Sequence, residues 1–177
     1  LNGLTPHATD VGNAYLEAIS NEKVCMRAGK EFGELAGHSL IICKALHGLR
    51  SSGKQFGDLL AECLIELGFK PSKAEPQIFI RPSASGRYCE MCAVHVDDLC
   101  LAVDNPEGPF KQLQSEPYNF KLKGSGPMNF HLGCGFDRDP DGTSFMDPGK
   151  HVDKIMASCE QSFGSKPRHA QSPLVPN

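Results

Sequence analysis

The stretch "AVHVDDLCLAV" (residues 93–103) places two adjacent acidic residues, Asp97 and Asp98, inside an otherwise apolar segment. The apolar residues on both sides predict two strands, and because only residues 96–98 separate them, the strands should pair as a tight hairpin. Two carboxylates at one hairpin end repel each other, so one of them takes up a proton unless a partner is present. Mg²⁺ is such a partner, because it binds carboxylate oxygens.

The rest of the chain predicts a mixture of helices and strands around this hairpin. A segment that begins as a strand at residue 8 should turn helical near Ala14. The predicted strands are 40–44, 77–82, 87–95 and 99–104, with short strands in 118–124 and 129–137, and the predicted helices are 51–69, 106–115 and 149–163. The fold class that follows is α/β in the broad sense (α+β), with the hairpin at its centre.

The segment 51–69 is the clearest helix. Its apolar residues recur at the spacing of one buried helical face, namely Phe56, Leu59, Leu60, Cys63, Leu64 and Leu67. Ser51 or Ser52 can cap its first turn with a side-chain hydrogen bond, and Gly68 should end it.

Composition limits the classes of protein to consider. The chain has 177 residues, of which 40% are hydrophobic and 22% charged, values typical of a globular domain with its own core. The formal net charge of −3 argues against a self-sufficient nucleic-acid-binding domain. No apolar run approaches the ~20 residues of a membrane helix, so no membrane span is predicted. The first ten residues lack initiator Met and signal-peptide features, which indicates a piece of a longer protein.

Eight cysteines are scattered along the chain, and the one close pair, Cys89 and Cys92 with His95 nearby, has the form of half a zinc site. Zinc needs about four ligands. On a strand, side chains three residues apart point to opposite faces, so these two thiols cannot converge on one ion. We therefore interpret them as core thiols in a reducing compartment.

Asp10 is the candidate for a third carboxylate, because it ends a predicted strand just before a turn into a helix. Three carboxylates can hold two metal ions about 3.5–4 Å apart, the arrangement used for phosphoryl transfer. Taken separately, a solvated Asp-Asp turn and an aspartate that caps a helix are the more common explanations. Spacing alone does not bring residues 10 and 97 together.

Three blocks in order, "DVGNAYLEA" (10–18), "KALHGLRSSGKQF" (44–56) and "HVDDLCL" (95–101), resemble the reverse transcriptase of copia-type LTR retrotransposons. Smaller matches are "EFG" (31–33), "LGF" (67–69), "HLG" (131–133) and "SPL" (172–174). The resemblance implies a polymerase palm, an antiparallel sheet with a catalytic β-hairpin and helices packed on one face. Residues 1–177 would be a partial reverse transcriptase domain of a retrotransposon polyprotein, without the upstream fingers and the downstream RNase H domain.

The resemblance also implies roles for single residues. Asp10, Asp97 and Asp98 correspond to the catalytic carboxylates that bind two Mg²⁺ (or Mn²⁺) ions for nucleotidyl transfer. Tyr15 corresponds to the aromatic residue that excludes a 2′-hydroxyl. The nucleotide-binding set is Val11, Gly12, Asn13, Ala14, Tyr15, His47 and Gly48. The expected partners are an RNA or DNA template–primer and deoxynucleoside triphosphates.

Histidine stands at three positions, His47, His95 and His151, where that family usually has tyrosine. One interpretation is mutational drift in an element copy that is no longer under selection. Two functions therefore stay open: an RNA-directed DNA polymerase palm, weakly active or inactive in isolation, or an inactive palm-derived structural subunit with protein partners. A retroelement polymerase would work in a cytoplasmic virus-like particle or in the nucleus.

Overall fold

The structure is a computed structural model that describes residues 3–167. The chain forms two compact units, and the boundary falls between Pro127 and Met128. In the first unit, the strands are β1 (His7–Val11), β2 (Cys25–Arg27), β3 (Ser39–Ile41), β4 (Lys70–Pro71), β5 (Ile78–Pro82), β6 (Cys89–His95), β7 (Asp98–Ala102) and β8 (Leu122–Pro127). Its helices are α1 (Ala14–Glu17), α2 (Ser52–Glu66) and α3 (Glu107–Leu113), with a 3-10 helix at Lys30–Leu35.

The first unit is built on a six-stranded sheet in the order β4-β5-β6-β7-β1-β8. Every neighbouring pair in it is antiparallel. The hairpin β6–β7 lies in the middle, and β1, the first strand of the chain, lies between β7 and β8. The predicted fold class is confirmed: an antiparallel sheet combined with helices.

The core lies between one face of this sheet and the helices. In β7, Leu99 and Leu101 are fully buried, and their cross-strand neighbours on β6 and β1 include the buried Cys92 and Thr9. Paired residues of an antiparallel sheet share a face, so the residues between these lie on the opposite face. That second face carries partly exposed side chains, among them Ile80 and Met91, each 37% exposed.

Helix α2 supplies the largest share of the helical side of the core, as its periodicity predicts. Phe56, Leu60, Cys63 and Leu64 are 0–1% exposed. After the last turn, Gly68 has φ 85°, and the Phe69 N–H donates to the Leu64 carbonyl (3.0 Å). This is the C-terminal arrangement in which glycine is favoured, because the left-handed backbone carries no Cβ penalty. The predicted end of the helix is confirmed.

The predicted side-chain cap of α2 is wrong. Ser51 makes no capping hydrogen bond, and its Oγ instead accepts a hydrogen bond from Gln55 Nε2 (2.9 Å). Ser52 is buried, and its Oγ donates to the Leu46 carbonyl (2.6 Å). The Ser51 hydroxyl is thus bound by a residue of the same helix, and the Ser52 hydroxyl binds the segment that precedes the helix.

The second unit contains a three-stranded antiparallel sheet of β9 (Phe130–His131), β10 (Cys134–Arg138) and β11 (Ser144–Asp147), followed by α4 (Gly149–Phe163). The predicted turn at 139–142 is confirmed by the bond from the Gly142 N–H to the Asp139 carbonyl (2.8 Å). Helix α4 has the predicted bounds, whereas β11 was not predicted. The "SPL" match at 172–174 lies outside the described residues.

Across residues 3–167, no helix combines the length and the apolar character that a membrane crossing requires.

Candidate active site

The sheet brings the predicted acidic residues together at one end of the central hairpin. Asp10 of β1 pairs directly with Asp98 of β7, so both side chains lie on the face opposite the core. Direct cross-strand neighbours have Cβ atoms about 4.5–5.5 Å apart. Asp97 lies in the two-residue turn, and its carbonyl accepts a hydrogen bond from the Val11 N–H (2.8 Å). The fold therefore joins residues 10 and 97, which sequence spacing alone does not.

The hairpin turn itself is strained. Val96, its first residue, has φ 58°, in the left-handed region that β-branched residues rarely adopt. Turns of this kind favour glycine or asparagine. The sequence placed Asp98 in the turn, with residues 96 and 97. In the structure Asp98 is instead the first residue of β7, because it pairs with His95 across the hairpin. The strained residue thus comes directly after β6 and directly before Asp97 and Asp98.

The carboxyl of Asp10 titrates abnormally. Burial raises its pKa above the ordinary value of 3.8, and the nearby charges of Asp97 and Asp98 raise it further. A hydrogen bond from the Asp97 side chain is the smallest contribution that raises the pKa of Asp10. Lys123 acts in the opposite direction and lowers the pKa of Asp10. The charges of Asp97, Asp98 and Lys123 thus all act on the Asp10 carboxyl.

Lys123 is a site residue that the sequence analysis missed. It pairs with Asp10 across β1 and β8, because a bulge between Ala8 and Asp10 shifts the register by one residue. Gly124 has φ 63° next to this position, a conformation in which glycine carries no steric cost. The "KGSG" run (123–126) was the available signal, since an isolated glycine in a strand indicates a bulge.

Gly12 is explained by the same lysine. A Cβ at this position would come within 2.6 Å of the Lys123 Cε, so any larger residue would displace the side chain. The Gly12 N–H donates to the Lys121 carbonyl (2.8 Å). This N–H is thus partnered within the fold, and a nucleotide-binding role of Gly12 stays a prediction. For Asn13, with φ 57°, and Ala14, a nucleotide-binding role stays a prediction.

A second group of predicted site residues meets at α1. The rings of Tyr15 and His47 have centroids 4.5 Å apart at an interplanar angle of 44°. Tyr15 also meets Phe56 of α2 edge-on, at 6.4 Å. Gly48, beside His47, has φ 94° and turns the chain toward α2. Tyr15 is half-buried and His47 is exposed, so the pair forms a partly accessible aromatic surface.

The three aspartates have the ligand type that a hard divalent cation such as Mg²⁺ requires, but their side chains are not arranged around a common point. Among residues 3–167, no group of three or more His, Cys, Asp or Glu side chains stands in a metal-binding arrangement. The donor set is nevertheless all oxygen: the charge of Asp97 acts on the Asp10 carboxyl, and Asp98 is the direct cross-strand neighbour of Asp10. Carboxylate oxygens are the ligands that Mg²⁺ and Mn²⁺ prefer.

The cysteine pair lies outside this site. Cys92 is buried and Cys89 is exposed, which confirms that the two thiols point to opposite faces of β6. The expectation that both belong to the core is wrong for Cys89, because position 89 lies on the sheet face that the helices leave open. His95 is exposed on that same face, opposite Asp98.

Comparison with protein-family models gives a match over most of the chain. A family model described as reverse transcriptase (RNA-dependent DNA polymerase) matches residues 2–162. The matched range covers most of both compact units and includes the acidic and aromatic residues described above. No curated protein matches the chain significantly.

Proposed function

Because the chain belongs to the reverse transcriptase (RNA-dependent DNA polymerase) family, we propose that it is the palm region of a copia-type retrotransposon polymerase. Its reaction would be the template-directed addition of deoxynucleotides to a primer on an RNA template. The observation that carries this proposal is the β1–β7 register, which makes Asp10 the direct neighbour of Asp98, while the Val11 N–H next to Asp10 donates to the Asp97 carbonyl.

In this proposal Asp10, Asp97 and Asp98 hold two Mg²⁺ or Mn²⁺ ions. Bound there, the ions would activate the primer hydroxyl and stabilise charge on the leaving pyrophosphate. The raised pKa of Asp10 supports such a role, because carboxylates that repel one another gain by sharing a cation. Lys123 adds a positive charge at the edge of the same cluster, where it can bind a phosphate oxygen.

The aromatic pair is proposed as the floor of the nucleotide pocket. Tyr15 is held by His47 on one side and Phe56 on another, so its ring has little freedom to move away. A ring fixed in this way can exclude a 2′-hydroxyl by contact. Val11, Asn13 and Ala14 would supply backbone contacts to the nucleotide, and Gly48 would allow close approach beside His47.

Affinity for template–primer should depend on segments beyond this palm. Lys and Arg contacts to phosphates supply much of polymerase affinity, and the chain has a net charge of −3. We therefore expect weak binding of nucleic acid by residues 1–177 in isolation. The alternative of an inactive structural subunit is not favoured by the family match.

Primer extension tests the proposal. The purified chain, alone and joined to an upstream fingers segment of the family, is incubated with an RNA template, a DNA primer, deoxynucleotides and Mg²⁺ or Mn²⁺. We expect extension that Asp97→Asn reduces by about 10³-fold or more, by analogy with the loss of other essential catalytic groups. Asp153→Asn on α4, the same chemical change at an exposed position, should leave the rate unchanged. Absence of extension in both forms, or equal extension by Asp97→Asn, would refute it.

A further inference from the structure

A cavity of about 550 Å³ in the first unit lies apart from the carboxylate cluster. It lies between the end of α1, the outer side of α2 and the loop that follows α3. Its size is within the range of small-molecule and side-chain pockets. None of its lining residues has a role in the proposed polymerase site.

The lining of this cavity combines negative charge with apolar surface. Glu17, Asp58 and Glu62 supply three carboxylates, against one ammonium group, that of Lys44. The Lys44 Nζ donates to the backbone carbonyl of Glu17 (3.4 Å), and Asp58 already pairs with Lys54. Two carboxylates, those of Glu17 and Glu62, therefore dominate the charge that an entering ligand meets.

Gln55 gives independent support for a ligand here. It lines the cavity and is only 9% exposed. Its Nε2 donates to Asn21 Oδ1 and to Ser51 Oγ (2.9 Å), whereas its Oε1 is buried with no hydrogen-bond partner among the described residues. A buried acceptor without a donor is unfavourable, so a hydrogen-bond donor supplied by a ligand would be favourable.

The other residues that line the cavity indicate which kind of hydrogen-bond donor the ligand would carry. Ile19, 75% exposed, and Leu59 offer apolar surface to an aliphatic stem. The ring of Tyr118 also lines the cavity, and a planar cation can stack on such a ring. A guanidinium group meets all of these features, since it has five N–H donors, pairs with carboxylates and stacks on aromatic faces.

We propose that this cavity binds a guanidinium group carried on a short aliphatic stem. Glu17 and Glu62 pair with its charge, Gln55 Oε1 accepts one of its N–H groups, and Ile19 and Leu59 contact the stem. The ligand is either an arginine side chain of a partner protein or a free guanidino compound. The proposal does not depend on polymerase activity.

Titration of the full chain with N-acetyl-arginine amide tests it, with N-acetyl-citrulline amide as the uncharged isostere. Binding is followed by calorimetry and by NMR shifts of residues 17–21 and 55–62. We expect saturable binding of the arginine compound at least about tenfold tighter than of the citrulline compound. Glu62→Gln should weaken it by about three- to tenfold, and Gln55→Met should weaken it as well.

Glu107→Gln on α3 is the matched control, since it removes one exposed carboxylate outside the cavity. Gln55→Met changes a buried residue and can affect folding. If the Gln55→Met variant does not fold, the Glu62→Gln variant alone decides the outcome. A tripeptide with arginine between two leucines distinguishes the sources: tighter binding than the free amide assigns the site to a protein partner, and equal binding assigns it to a small guanidino compound. No saturable binding, equal binding of arginine and citrulline compounds, or equal effects of Glu62→Gln and Glu107→Gln would overturn the proposal.

Discussion

The carboxyl of Asp10 is exposed to the charges of two other acids, and its raised pKa has a consequence for stability. Burial and the charges of Asp97 and Asp98 make the ionised form less favourable in the folded state than in the unfolded chain. A raised carboxyl pKa means that the folded state binds its proton more tightly. The cost of ionisation is therefore absent below the ordinary value of 3.8 and grows as pH rises through the folded-state pKa.

Asp10→Asn should accordingly stabilise the protein at pH 7. Because the carboxyl is partly solvated, we expect a rise in melting temperature of only about 1–3 °C. The difference between variant and wild type should disappear at pH 3, where Asp10 is neutral in both states. Circular dichroism melts at both pH values check this, with Asp153→Asn as control. A lower melting temperature at pH 7 would show that Asp10 is not in a repulsive cluster.

Lys123 makes the opposite contribution to the same carboxyl, since its charge lowers the pKa of Asp10. Lys123→Ala should therefore raise the pKa of Asp10 further. Titration of the aspartate carboxyl carbons by NMR measures this directly. Lys121→Ala, an exposed lysine two residues away, serves as the matched control and should leave that pKa closer to the wild-type value. Equal shifts in both variants would remove the basis for placing Lys123 in the site.

The turn between β6 and β7 is the element that fixes the geometry of the acids. Val96 holds φ 58° there, which costs about 1–2 kcal/mol for a residue with a Cβ. Val96→Gly should relieve most of this strain, and after the added entropy of the unfolded glycine we expect stabilisation of about 0.5–1 kcal/mol. Val94→Gly, inside β6, should instead destabilise, because it removes side-chain packing from a strand. Urea unfolding of both variants measures the difference, and destabilisation by both would contradict the strained-turn interpretation.

A buried ion pair connects β5 and β6 with the end of α2 and with the segment after β7. Arg81 Nε donates to Glu90 Oε2 (2.6 Å), and Arg81 Nη1 donates to the Leu67 carbonyl (2.6 Å) after α2. The Asp104 N–H donates to Glu90 Oε1 (2.9 Å), and the Glu90 side chain is only 6% exposed. The Arg81 guanidinium also lies 4.3 Å from the centroid of the Phe69 ring.

Arg81→Ala should thus cost about 2–4 kcal/mol of unfolding free energy, because it leaves the Glu90 carboxylate buried without its partner. Lys54→Ala breaks the exposed pair with Asp58 on α2 and should cost less than about 0.5 kcal/mol. Chemical denaturation of the two variants provides the comparison. Similar losses would indicate that the Arg81–Glu90 pair contributes no more than a surface pair.

Elements with strong periodicity could be predicted from the sequence, and those held by distant partners could not. The buried face of α2 and the bounds of α4 follow from the 3.6-residue repeat and from glycine near the ends. The short strands β2 and β11 carry no alternation of their own and exist because other strands pair with them. The missing cap of α2 has a different cause, since the Ser51 hydroxyl binds Gln55 one turn further on and the Ser52 hydroxyl binds the Leu46 carbonyl, a choice of partners that the sequence does not reveal.

At the scale of the whole molecule, the candidate site is assembled from segments nearly 90 residues apart. Each aspartate could be singled out from its local sequence, but their proximity depends on β1 entering the sheet between β7 and β8. Topology of this kind is a long-range property that only the ordered resemblance anticipated. Lys123 escaped prediction because its position depends on a one-residue bulge in the register.

Mn²⁺ binding followed by electron paramagnetic resonance tests the central claim most directly, namely that Asp10, Asp97 and Asp98 form one site for divalent cations. This readout does not require polymerase activity. The account predicts saturable Mn²⁺ binding by the wild-type chain, competition by Mg²⁺, and affinity reduced by about tenfold or more in both Asp10→Asn and Asp97→Asn. Asp153→Asn should bind as the wild type does. Equal Mn²⁺ affinity in all four proteins would contradict the claim.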